Sequence, residues 1–231
     1  MADRMYDAPH HSVRLQTSHP MKTNRFFMLL GVFALSLFMP VLSFAESPWS
    51  ARLRATYLET VDRSGAFSAL GINFPTNAVS VSDKLIPEID IDYVFTETLS
   101  AELVLTIPQK HSVNLAGAGR LGSFKYLPPT LYLQYKPALE GAFKPYFGLG
   151  VNFTLIFDDN LSVAGVPLKL ENYNLGVAGQ AGFDYRINDR WHFNVDIKRA
   201  VIRTDVLAGG AKLTTAKLDP WLYAVGFRYD L

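Results

Sequence analysis

Proton transfer needs a titratable side chain with a partner, and two histidines raise the question. His192 lies on the polar parity of an alternating stretch, and His111 lies in a long connection. A hydrolase or acyltransferase would place a nucleophile beside such a base. No Gly-x-Ser-x-Gly elbow occurs, and no serine stands at a spacing that suggests a dyad with either histidine. Asp158-Asp159-Asn160 offers oxygen ligands that could hold calcium, but turns use the same residues freely. No other Asp, Glu or His cluster has metal-ligand spacing. The expectation is a chain with no catalytic residue, no metal and no cofactor, and therefore not an enzyme.

The second reactive group is ionic. Arg52, Arg54, Asp90, Asp92, Glu102, Arg228 and Asp230 recur on one parity of four alternating stretches. If folding turns that parity into a dry interior, the charges must pair, because an unpaired buried charge is very costly. A salt-bridged network is expected from them rather than a reaction.

The elements that would position these residues are strands. From Lys144 to Phe157 the odd positions Phe147, Leu149, Val151, Phe153, Leu155 and Phe157 are apolar, while the even positions include Gly148, Gly150, Asn152 and Thr154. A strand turns successive side chains to opposite faces. One face is therefore apolar over a length that suits lipid, where about 9–11 tilted residues cross the bilayer. A soluble sandwich strand with its apolar face in a dry core is the alternative. Seven further stretches keep the same alternation: 49–57, 88–95, 99–107, 130–136, 173–186, 191–198 and 221–231. Aromatics cluster near their ends, as girdles at two membrane interfaces would require. Charges share the other face with glycine and alanine, which suits a crowded lumen better than a solvated exterior. Connections alternate between short (Thr96–Thr98, Pro137–Phe143, Ile187–Arg190) and long (58–87, 108–128, 158–172, 203–220). Short periplasmic turns and long outer loops are the outer-membrane pattern. The expected fold is all-β, an eight-stranded antiparallel transmembrane β-barrel of the outer membrane.

Composition agrees with this class. The chain has 231 residues, 13% of them aromatic and 19% charged, with no cysteine and a formal charge of +1. That balance argues against a nucleic-acid binder. Lys22 and Arg25 precede an apolar run from Phe26 to Phe38, followed by Pro40 and Ser43-Phe44-Ala45. This is the order of a secretory signal peptide cleaved after Ala45, and the run is short for a membrane-spanning helix. Residues 1–20 are polar and unlike a signal leader, so Met21 is the expected start. The domain expectation is leader and signal peptide over 1–45 and barrel over 46–231.

Two stretches resemble the outer membrane protein W (OmpW) family. The first is Leu121-Gly122-Ser123-Phe124-Lys125-Tyr126-Leu127-Pro128-Pro129-Thr130-Leu131. The second is Lys144-Pro145-Tyr146-Phe147-Gly148-Leu149-Gly150-Val151-Asn152-Phe153-Thr154. The likeness extends to strand count, loop order and the terminal Gly226-Phe227-Arg228-Tyr229. It implies an eight-stranded outer-membrane barrel of a Gram-negative bacterium with a narrow lumen, in a family associated with passage of small hydrophobic molecules. Outer-membrane barrels usually end on an aromatic residue, whereas this chain ends on Leu231.

With both termini periplasmic, the inward residues sort by depth. The periplasmic half collects charge, including Arg52, Arg54, Asp92, Glu102, Asp184, Arg186 and Asp196. The outer half collects Val104, Tyr132, Thr154, Ile156, Ala178, Ala200, Ile202 and Leu222. A charged floor beneath an apolar upper lumen would suit a hydrophobic guest that enters from outside and leaves sideways into the membrane. Tyr132, Thr154, Ile156, Ala200, Ile202 and Leu222 are the expected contacts. Small residues at Gly148, Gly150, Gly176, Ala178, Gly182 and Gly226 favour a cavity over the filled core that eight-stranded barrels often have. Apolar loop residues such as Phe67, Phe74, Leu115 and Phe124 either cap the barrel or gather ligand. Expected partners are outer-membrane lipids, small hydrophobic molecules, the barrel-assembly machinery and lipopolysaccharide, whose phosphates Arg120, Lys125, Lys169, Lys212 and Lys217 would face. A surface receptor or structural barrel that works through its loops is the other reading.

Overall fold

The computed structural model describes residues 47–61, 63–69 and 72–231. The expected leader, signal peptide and cleavage site lie outside these residues.

Eight antiparallel strands close into a barrel, labelled here in chain order: β1 Trp49–Glu59, β2 Lys84–Thr96, β3 Leu99–Thr106, β4 Thr130–Tyr135, β5 Phe143–Val163, β6 Tyr173–Arg186, β7 Trp191–Ala200 and β8 Trp221–Asp230. Sequence neighbours pair throughout, and β1 pairs with β8 from Ser50↔Asp230 to Glu59↔Trp221. Closure leaves the barrel no free edge, so every central backbone group can be bonded without water. The alternation in the sequence becomes two faces. Leu53, Leu149 and Leu175 point outward and are 62%, 80% and 71% exposed, while Arg54, Tyr146 and Ala178, on the opposite parity of the same strands, point inward and are buried. Apolar side chains this exposed around a closed barrel belong against lipid.

The inward glycines serve a different purpose from the one expected. A Cβ at Gly182 would lie 2.6 Å from the Tyr146 ring, and one at Gly148 would lie 2.6 Å from Gln180 Cγ. Tyr146 pairs across the ladder with Gly182, and Gln180 with Gly148. These glycines therefore admit large side chains that fill the barrel at that depth, instead of leaving a void there.

The long connections are not irregular loops. β5 continues to Val163, beyond the expected end at Phe157, through a register shift in which Asp158 takes a left-handed φ of 52°. Strands 79–81, 109–115, 119–127, 166–170, 203–208, 211–217 and 63–64 join its upper part. Asn77 N donates to Ser64 O at 3.0 Å, and Val79 N donates to Ser64 Oγ at 3.4 Å, which ties the last of these segments to the first. A second tier of wall thus stands on the first. A separate hairpin, Phe67–Ala69 with Ile72–Phe74, forms its own small sheet.

One interruption breaks the wall. β3 and β4 pair from Leu99↔Tyr135 to Val104↔Thr130, and the ladder between their extensions resumes only at Gln109↔Tyr126. Residues 105–108 and 127–129 lie between. Pro108, Pro128 and Pro129 have no N–H to donate, so the sequence itself prevents a continuous ladder here.

Candidate functional site

The lower lumen is held by ions that the strand parity points inward. Arg52 on β1 pairs with Asp92 of β2, with Glu102 of β3 at 2.9 Å and with Asp184 of β6 at 3.0 Å. Arg54 reaches Glu88 at 3.0 Å, Asp90 at 3.1 Å and Glu102 at 2.8 Å, and donates to Asn194 Oδ1 at 2.7 Å. Lys198 of β7 lies 2.7 Å from both Glu88 and Asp196. Gln134 and Gln180 each donate to Glu102 Oε2 at 2.8 Å, and Tyr146 donates to Asp196 at 2.8 Å. These side chains are buried. They cross the lumen from one wall to the other, so they form a plug of shared hydrogen bonds rather than a ring around a pore.

Arg228 and Asp230 sit lower, at the rim where β1 begins and β8 ends. Arg228 bonds Asp184 at 3.0 Å and Asp230 at 2.8 Å, and His192 Nε2 lies 2.9 Å from Asp230. Asp230 pairs with neither Arg52 nor Arg54; the rim joins the plug through Arg228, which bonds Asp184 and donates to Ser50 Oγ at 3.0 Å, and Ser50 Oγ donates in turn to Asp92 at 3.3 Å. Arg186, expected inward, is exposed at the end of β6.

Glu88, Lys198, Tyr146, Gln134 and Gln180 belong to the plug although none was among the expected floor residues. Each has inward parity, so parity identified the face but not the depth. For Tyr146 a sharper signal was present: its register partner is a glycine.

Above the plug the lumen is largely apolar, and among the described residues cavities lie at two levels. The lower one, about 20 Å³, is lined by Tyr132, Ala200, Ile202 and Leu222 together with Thr106 and Tyr126. The upper one, about 50 Å³, lies within the second tier among Val81, Val113, Leu115, Phe124, Leu168 and Val206. Thr154 and Ile156 are buried but line neither cavity. Thr154 donates its hydroxyl to Asn152, and Ile156 packs in the surrounding apolar cluster. Of the apolar loop residues, Phe67, Leu115, Leu121 and Phe124 line the upper cavity, whereas Ile72 faces outward at 57% exposure.

His111 is buried between the cavities' walls, against Phe124 and Tyr126 with ring centroids 5.9 and 4.9 Å away. Its Nδ1 lies 2.7 Å from the Ser82 carbonyl, which can only accept, so Nδ1 carries the proton. Burial holds its pKa below the ordinary 6.5, with Lys84 adding to the effect against the opposing Ser82 carbonyl and Asp83. An unfolded chain therefore binds a proton below pH 6.5 that the folded hairpin refuses, and stability falls as pH falls through that value. Amide exchange over residues 109–127, corrected for intrinsic chemistry, is expected to be faster at pH 5 than at pH 7.5, and His111→Phe should remove the difference. An unchanged pH dependence in that variant would refute the assignment.

The acidic stretch and most of the loop cations neutralise one another. Asp158 pairs with Lys125 at 2.9 Å, Asp159 with Lys169 at 3.0 Å, and Asp205 with Lys212 at 2.7 Å. Among the described residues no group of three or more His, Asp or Glu is arranged to hold a metal ion.

A family model described as the OmpW family matches residues 52–231. An uncharacterized outer-membrane protein, y4mB, of Sinorhizobium fredii is 37% identical over 188 residues, covering 79% of this chain and 80% of that protein. Outer membrane protein W of Escherichia coli is 30% identical over 185 residues, covering 76% and 84%. The crystal structure of the outer membrane protein OprG from Pseudomonas aeruginosa superposes with a TM-score of 0.67 at 30% identity, covering 80% of this chain and 96% of that one.

Proposed function

This chain belongs to the OmpW family and is an outer-membrane β-barrel, and from that premise we propose that it takes up small hydrophobic molecules and releases them sideways into the membrane. The observation that carries the reading is the stacking of an apolar lumen on a plug of buried ions. An apolar guest entering from outside gains by leaving water, at about 25 cal/mol per Å² of buried surface. It cannot continue downward, because displacing Arg52, Arg54 and Lys198 from their carboxylates would leave charges buried and unpaired. The interrupted ladder between residues 105–108 and 127–129 offers a side exit, and Thr106, Tyr126 and Pro128 beside it also line the lower cavity.

No covalent step is needed. His192 is occupied with Asp230 at the rim, and enzymatic activity forms no part of the proposed function. The barrel is taken to reach the membrane by export on a signal peptide ending at Ala45 and by the barrel-assembly machinery. Arg120 and Lys217, exposed in the second tier, are the cations most available to lipopolysaccharide phosphates.

Uptake of a radiolabelled alkane and of a polar solute of equal size, by cells with and without the protein, tests this. Selective stimulation of alkane uptake is the expected result. Equal stimulation of both would mean an open pore and sink the sealed floor. No stimulation of either by a folded barrel would favour a receptor acting through its loops.

A further inference from the structure

Two hydroxyls at the lower cavity have no hydrogen-bond partner among the described residues. Tyr126 is 1% exposed and its Oη is unpartnered, as is the buried Oγ1 of Thr106. Both residues line the lower cavity. Several of the other polar side chains around that cavity are committed. Asn152 donates to Thr130 at 2.7 Å, and Lys198 donates to Glu88 at 2.7 Å. Tyr132 and Glu88 Oε2 also border the cavity, toward the plug, while Tyr126 Oη and Thr106 Oγ1 are its buried hydroxyls without a partner. They stand at the interruption of the ladder, and His111 packs against the Tyr126 ring. Folded proteins rarely leave a buried hydroxyl unbonded, because its desolvation is not compensated.

We propose that the lower cavity is a hydrogen-bonding subsite for a single hydroxyl carried by an otherwise apolar guest, of the aliphatic-alcohol or phenol class. Tyr126 Oη donates to the guest oxygen, and the guest hydroxyl donates to Thr106 Oγ1. A ketone oxygen accepts from Tyr126 but has nothing to give Thr106, and an alkane satisfies neither. The order of preference is therefore alcohol, ketone, alkane. The cavity, about 20 Å³, has room for one or two groups the size of water. It fits a head and not a whole molecule, so the apolar tail lies up the lumen. A site built to bond an oxygen discriminates against the analogue that lacks it more strongly than an apolar pocket discriminates by size. The proposal rests on the reading of the lumen as a hydrophobic conduit and names its substrate class.

The test is titration of 1-octanol, 2-octanone and octane, at matched aqueous activity, onto the intact barrel in lipid nanodiscs. Binding is read from the amide shifts of residues 106 and 126. Octanol should bind about fivefold or more tightly than octane, one neutral hydrogen bond being of that order. Tyr126→Phe should weaken octanol and octanone by about fivefold and leave octane unchanged. Thr106→Val should weaken octanol alone. Heat-shifted electrophoretic mobility establishes that each variant is folded. If all three ligands bind alike and neither variant matters, the hydroxyls serve only water and the proposal fails, while the conduit survives. Equal loss of all three ligands in a folded variant would also overturn it, as a packing effect. If no ligand binds the wild-type barrel, both the subsite and the conduit fall.

Discussion

Arg54→Ala is expected to lower the unfolding free energy of the barrel by about 3–5 kcal/mol, the range for breaking one side of a buried ion pair. The change leaves Glu88, Asp90 and Glu102 facing one another around an empty position, with Lys198 beside Glu88 and Arg52 beside Glu102 as the remaining cations. Mutual repulsion of carboxylates in a water-poor lumen sets the size of the effect, more than the loss of any single contact. Adding Glu102→Gln should recover part of the loss, because it removes one of the orphaned charges. It should not recover all, since Glu88 and Asp90 still face the gap. Denaturant unfolding of the purified barrel in lipid, with both single variants and the double, supplies the cycle. A loss below about 1 kcal/mol for Arg54→Ala would place the guanidinium in a solvated environment and dissolve the case for a sealed floor. The same variant should admit small polar solutes, as water enters to solvate the exposed carboxylates.

Leu222→Trp is expected to cut alkane uptake by about 5- to 100-fold while the barrel still folds. Leu222 lines the lower cavity beside Ala200 and Ile202, directly above the plug. Accommodating an inserted ring costs about 1–3 kcal/mol. Each 1.4 kcal/mol added to a barrier is about tenfold in rate. Leu149→Trp is the matched control. It makes the same substitution on the outer face, at a residue 80% exposed to the membrane side, and should leave uptake unchanged. Uptake that survives Leu222→Trp in a folded barrel would mean that guests bypass the lower cavity. Loss in both variants would indicate damage to insertion rather than a blocked lumen. Ile156, expected from the sequence as a contact, is a poorer place for this test, because it packs in the apolar cluster and lines neither cavity.

Much of the barrel was legible because side-chain parity is a local property. Arg52 and Arg54 alternate with Leu53 and Ala55, and no tertiary contact is needed to see that they share a face. Eight such stretches, with turn lengths alternating between short and long, leave little choice of topology. The depth of each inward residue was less legible. It depends on strand tilt and register, which are relations between strands. Glu88 sits two residues before Asp90, yet nothing in β2 alone says that Lys198, 110 residues later, arrives at the same level. Arg186 failed in the opposite sense: its parity was inward, but β6 ends there and the side chain is exposed.

The glycines and the long connections divide along the same line. A small residue on an inward face reads as empty space only until its neighbour across the ladder is known. The neighbour of Gly182 is Tyr146, so the space is filled. The connections read as loops because their alternation is short and broken by Gly117, Gly165 and Gly209-Gly210, all at positive φ. Those glycines are hairpin turns, and the segments between them become wall only when each finds a partner strand. The sequence by itself determined which residues face lipid and which face the lumen, because that follows from a two-residue period within one strand. Only the tertiary structure decided which lumen residues meet, where the plug ends and where cavities remain. Those outcomes depend on distances across the barrel that no single strand contains.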